Sequence, residues 1–96
     1  MNQKYLVFTG TLSTMTRKQA QALVVALGGE SQTSVTKQTT HLVIGASRPT
    51  LFDESHSFKY QMVEKMKNDG QTIQCIDERA FLEGAITELQ RRVRNL

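Results

Sequence analysis

The sequence predicts a small three-layer α/β domain, with about four parallel strands and helices on both faces of the sheet. Short β-prone apolar runs recur along the chain: KYLVF at 4–8, HLVI at 41–44 and TIQCI at 72–76. Runs of that kind suit strands covered on both sides. Stretches of helical periodicity follow them, and crossovers of that length imply parallel pairing. The resulting order is βαββαβα, with right-handed crossovers.

The first strand, Lys4 to Phe8, ends abruptly at Thr9-Gly10-Thr11. Thr16-Arg17-Lys18-Gln19 then has the form of a capping box, and Ala20, Leu23, Val24 and Leu27 follow as one apolar stripe. Gly28-Gly29 closes that helix, because one of the two can adopt the left-handed cap. Glu30 to Val35 is a polar edge-strand candidate. Lys37 to Thr40 is turn-like, and His41 to Ile44 is a short buried strand closed by Gly45. Residues 46–55 hold the single proline, Pro49, and are expected to form a surface loop.

A second helix is expected from a cap at Ser55 or Ser57 to about Asn68, with Phe58, Met62 and Met66 on one side. Asp69-Gly70 ends it. Thr72 to Ile76 forms the next strand. Asp77 caps a last helix whose inward residues are expected to be Leu82, Ala85 or Ile86, Leu89 and Val93.

The 96 residues suffice for one domain with a core of modest size, spanning about 4–89 and followed by a basic helix end at 90–96. Apolar content is 39% and charged content 22%, ordinary for a globular domain. Net charge is +3 and the isoelectric point near 9.3, an excess that permits a phosphate-bearing partner without demanding one. The lone cysteine, Cys75, excludes a disulfide framework, and its apolar neighbours suggest a buried structural thiol. No apolar run reaches membrane-spanning length, and a cytoplasmic location is expected.

Catalysis has little to work with. His41 is embedded in a strand and reads as a satisfied histidine at its start, and His56 is the only other. No metal-ligand spacing occurs, so neither a metal site nor a cofactor is expected. Asp53-Glu54 and Asp77-Glu78 are explained by solvation and by helix starts. Phosphate binding is better supplied. Gly10 lets a phosphate oxygen approach its backbone N–H, and Thr9 can donate a hydroxyl. The helix behind them directs its positive end at the strand ends, and Arg17 and Lys59 can add charge. Taken alone, Thr9-Gly10 is far more often a plain turn than an anion site, and both cations also read as solvated helix residues.

VFTGTL at 7–12, Thr16-Arg17-Lys18, Leu27-Gly28-Gly29, SVTKQTTHLVIG at 34–45 and IDERAFLEG at 76–84 together resemble a BRCT domain. The resemblance is closest to the class found in NAD-dependent DNA ligases and the large subunit of replication factor C, and it covers about Tyr5 to Leu89. It implies a parallel sheet of order 2-1-3-4, with the first and third helices on one face and the second on the other. Phe81 falls where many members carry tryptophan and is expected in the core.

The resemblance also implies a phosphate site. Thr9, Gly10 and Lys59 stand at the positions used by phosphate-binding members. Arg17 matches the arginine of members that bind the 5′-phosphate end of duplex DNA. Lys37 matches a common family lysine. The basic tail, Arg91, Arg92 and Arg94, can add DNA backbone contacts or simply complement a helix C-terminus. One departure from the family stands out: Ala46 to Ser57 is longer than the usual Gly-Ser-Lys segment and carries Asp53 and Glu54, so Lys65 or Lys67 could replace Lys59.

The expected function is therefore a non-catalytic module of a replication or repair protein that binds 5′-phosphorylated DNA ends or nicks, associated with the nucleoid in a bacterium. The alternative is a protein-interaction module, with or without a phosphopeptide ligand. No membrane partner is expected.

Overall fold

The computed structural model describes residues 1–45 and 54–96, with side chains described throughout except at 54–57. The 46–55 loop with Pro49, the Asp53-Glu54 pair, His56 and the alternative caps Ser55 and Ser57 lie outside the described residues, apart from the helical backbone of 54–57. In chain order the elements are β1 (Tyr5–Thr9), α1 (Arg17–Ala26), β2 (Glu30–Gln32), β3 (His41–Ile44), α2 (Glu54–Asn68), β4 (Gln74–Asp77) and α3 (Glu78–Arg94). The four strands form one parallel sheet, ordered β2-β1-β3-β4. Fold class and strand order are as the sequence implies.

Strand alternation divides the core in two. Leu6, Phe8 and Val43 meet Ala20, Val24 and Leu27 of α1 and Phe81 and Ala85 of α3 on one face. Val7 and Leu42 meet Val63 of α2 on the other, with Met62 and Met66 packed alongside. Phe8 and Phe81 make an edge-to-face pair, ring centroids 5.2 Å apart at 86°. Such a pair adds about 0.5–1.5 kcal/mol beyond its buried area.

Local signals do what the sequence asks of them. Thr16 and Gln19 form the reciprocal capping box. Gly28, at φ +90°, takes the left-handed cap of α1. The amides of Gly28 and Gly29 bond back to the carbonyls of Val25 and Val24, which satisfies the helix end. Asp77 caps α3 by accepting from the Ala80 amide at 2.8 Å.

Several expectations change. β2 pairs only from Glu30 to Gln32. Thr33 and Ser34 bend away, which lets Val35 turn into the second core cluster. β4 starts at Gln74 and runs to Asp77, because β3 offers partners only from His41 to Ile44. Phe58 is 62% exposed, and Val63 is the deepest of the described side chains of α2.

Cys75 is exposed rather than buried. It continues the row of Val7 and Leu42, but on the edge strand. In α3, Phe81 and Ala85 are buried, whereas Ile86, Leu89 and Val93 are 52%, 47% and 66% exposed. The reason is length. Four paired residues span about 13 Å, whereas a 17-residue helix spans about 25 Å. The second half of α3 therefore runs past the sheet.

Two substitutions test this packing. Phe81→Ala should lower unfolding free energy by about 3–5 kcal/mol in urea titration. A Cβ at Gly45 would stand 2.5 Å from the Thr11 carbonyl oxygen, whereas one at Gly84 meets nothing within 4 Å. Gly45→Ala should cost roughly 1–3 kcal/mol. Gly84→Ala, inside a helix, should be neutral or stabilising by up to about 1 kcal/mol.

Candidate functional site

The site is built where β1 ends. Alternation turns the Thr9 side chain to the α2 face with Val7, and Thr9 is 1% exposed. Its carbonyl accepts from the Gly45 amide at 2.8 Å. Gly10 then takes φ +78°, a left-handed turn that favours glycine. The chain thereby leaves the sheet at the C-terminal end of a central strand, where parallel α/β sheets collect ligands.

Two cations close on this turn from different elements. Lys59, near the start of α2, places its Nζ 2.7 Å from the Phe8 carbonyl oxygen. The carbonyls of β1 alternate sides: that of Lys4 accepts from Glu30 on the β2 side, and those of Tyr5 and Thr9 from Thr40 and Gly45 on the β3 side. The Phe8 carbonyl therefore faces the β2 side. There the ladder has already stopped at Gln32, and the lysine supplies a donor. Arg17, the first residue of α1, donates from Nη2 to the Gly10 carbonyl at 2.7 Å. The two cations thus hold carbonyls two residues apart, on either side of Thr9. Lys65 and Lys67 lie in the last turn of α2, about 9–12 Å further along the helix axis than Lys59.

The segment from Thr11 to Thr16 walls a shallow open depression beside Gly10 and Arg17. It is held at two points. The Thr11 backbone lies directly against Gly45. In the middle, the Glu78 carboxylate accepts from the amides of Ser13 (2.7 Å) and Thr14 (2.8 Å) and from the Thr14 hydroxyl. The Ser13 amide and then the Thr14 hydroxyl hold the Glu78 carboxyl below its ordinary range. Sequence reasoning assigned Glu78 to a solvated helix start and missed this tether. It crosses more than 60 residues of chain, and nothing local marks it.

Among the described residues, Lys37 and the arginines at the end of α3 do not join the site. Thr36 to Thr39 form a tight turn, closed by the Thr39 amide on the Thr36 carbonyl and held by Gln71. That turn leaves Lys37 exposed before β3, at the opposite end of the strands from Gly10. Because α3 runs back along the sheet, Arg91, Arg92 and Arg94 also lie toward that far end. Arg91 pairs with Glu88 at 2.7 Å, and Arg92 reaches the Ala26 carbonyl at 3.4 Å.

His41 is a half-buried strand residue whose Nδ1 sits 2.7 Å from the Thr40 hydroxyl oxygen. Burial, and then the charge of Lys4, push its pKa down. Among the described residues no group of three or more His, Cys, Asp or Glu side chains is arranged to hold a metal. No helix among them is long and apolar enough to cross a membrane.

Known proteins with similar sequences fit this architecture. The family model described as the BRCA1 C Terminus (BRCT) domain matches residues 1–68. A DNA ligase of Syntrophobacter fumaroxidans is 40% identical over 82 residues, covering 85% of this chain and 10% of the ligase. A DNA ligase of Persephonella marina is 35% identical over 80 residues, 83% of this chain and 9% of the ligase. A DNA ligase of Carboxydothermus hydrogenoformans is 51% identical over 39 residues, 41% of this chain and 6% of the ligase. The chain therefore spans a tenth or less of the length of these relatives. With the family model matched from Met1 to Asn68 and the sheet in the order β2-β1-β3-β4, the chain belongs to the BRCT domain family and is homologous to a short region of bacterial DNA ligases.

Proposed function

We propose that this domain is a non-catalytic phosphate-recognising module of a DNA replication or repair protein, and that its ligand is a 5′-phosphorylated DNA end or nick. The observation that carries this reading is the convergence of Arg17 and Lys59 on the Thr9-Gly10 turn. In this reading the Gly10 amide and the Thr9 hydroxyl bond the phosphate, and the two cations neutralise it. The guanidinium has five N–H donors, and the Gly10 carbonyl engages one nitrogen, so it can hold the turn and a ligand together. Thr9 forms the floor, since it is almost wholly buried.

Homology to DNA ligases supports a DNA ligand over a phosphopeptide, for which the same pocket chemistry would serve. The far-end residues Lys37, Arg91, Arg92 and Arg94 stand outside this pocket, and contacts from them would fall on other phosphates.

Three titrations followed by amide NMR separate the readings: a 5′-phosphorylated duplex, the same duplex without the phosphate, and a phosphopeptide library. Shifts at Thr9, Gly10, Arg17 and Lys59 are expected with the phosphorylated duplex alone. Thr9→Val, which keeps the shape and removes the hydroxyl, and Lys59→Ala should weaken that binding by about tenfold or more, the scale of a charge-assisted bond. Parent-like affinity in both variants would falsify the pocket. Because two cations do the neutralising, log K should fall with log salt at a slope of only about −2. A much steeper slope would move the binding surface to the scattered basic residues.

A further inference from the structure

Between Gly10 and the first residue of α1 the chain has no regular structure. Its shape nevertheless decides where the Gly10 amide and the Arg17 guanidinium stand relative to each other. One end is fixed by the Thr11 backbone against Gly45 and the other by the Thr16 capping box. The amides of Ser13 and Thr14, between those ends, find their acceptor on α3 at Glu78.

We propose that Glu78 is a positioning residue for the phosphate site: docked on Ser13 and Thr14, it holds the 11–16 loop so that the Gly10 amide and Arg17 face one phosphate. This rests on the reading of Thr9, Gly10, Arg17 and Lys59 given above. Glu78 touches no ligand in this account. It acts through the loop, as the supporting shell of a binding site does.

The proposal makes a prediction opposite in sign to simple electrostatics. A carboxylate near an anion site repels the anion, so neutralising it by charge alone would tighten binding. Positioning requires the reverse. Glu78→Gln keeps the size and one acceptor oxygen, so the loop loses its charge-assisted clamp without a cavity being opened. Affinity for the 5′-phosphorylated duplex should fall roughly three- to tenfold in this variant. The Ser13 and Thr14 amide resonances should move and their hydrogen exchange quicken.

The parent protein supplies a second arm. The folded pKa of Glu78 lies below the ordinary range, so the clamp holds above that range and is lost as pH falls through the folded pKa. The second ionisation of a phosphate monoester lies near pH 6, so below about pH 5 the 5′-phosphate keeps a nearly constant single charge, and Glu78→Gln with the same duplex reports the titration of the DNA bases themselves. Among the described residues, Asp77 caps Ala80, Arg79 lies 3.7 Å from Glu83, Arg17 holds Gly10, and Lys18 is exposed on α1. Affinity and the Ser13 and Thr14 shifts should therefore titrate together in the parent and not in Glu78→Gln.

Binding as tight as the parent or tighter in Glu78→Gln, with Arg17→Ala weakened, overturns the positioning role and leaves the phosphate site standing. A loss of affinity without movement of the Ser13 and Thr14 amides also overturns it. If Arg17→Ala and Lys59→Ala bind like the parent, the phosphate reading fails and takes this inference with it.

Discussion

The structure depends on one constraint: β1 is a central strand buried on both faces. Leu6 and Phe8 must satisfy α1 and α3, while Val7 and Thr9 satisfy α2. A slip of one residue would exchange the two sets, so register is strongly specified. The same constraint places the end of the strand. Once Phe8 is locked against Phe81, one paired residue remains before the chain leaves the sheet. Thr9 is the last residue of the ladder, and Gly10 supplies the left-handed turn that ends it.

Short strands then leave carbonyls at the end of β1 that draw cations from other layers. β2 stops at Gln32, and the carbonyl of Phe8 extends past the end of that ladder. A carbonyl in that position needs a donor, and Lys59 comes from another layer to provide one. Arg17 does the same for Gly10. Both cations are thus placed by backbone bookkeeping that the fold requires in any case. A domain of this size can present two convergent charges without a dedicated loop for each. The loop that does intervene is braced by a carboxylate on a third element.

Much of this was legible in the sequence, because it is local. The capping box at Thr16, the Gly28-Gly29 stop and the Asp77 cap are written in residues a few positions apart. The α1 stripe follows from helical spacing alone. Thr9, Gly10, Arg17 and Lys59 could be named as candidates because glycine after a strand and cations at helix starts are local features too, and because the BRCT resemblance implies a phosphate role at those positions. What could not be read depends on relative lengths and on distant contacts. Leu89 and Val93 have the right spacing for a core, but the sheet ends before they do. Cys75 sits in an apolar string that reads locally as buried, although the order 2-1-3-4 implied by the resemblance already puts its strand at the edge, where the thiol is exposed. Glu78 looks like any acid at a helix start until its partners, 64 and 65 residues away, are known.

The distribution of charge sharpens what the net excess means. The chain carries +3 overall, yet the cations considered above, all among the described residues, fall at two ends of the sheet that are poorly placed to act together. At the far end, Arg91 is paired with Glu88 one turn back on the same helix, and Arg92 reaches the Ala26 carbonyl at the end of α1, the one of these two contacts that ties α3 to another element. Arg91, Arg92 and Arg94 all lie in the last turn of α3, where cations complement a helix C-terminus. At the near end, two cations from separate helices meet within three residues of one strand end. Recognition of a single phosphate needs the second arrangement and gains little from the first, since charges separated by more than a Debye length of about 8 Å act almost independently in physiological salt. The isoelectric point of such a domain therefore says little about its ligand, and the informative quantity is how many donors converge on one strand end.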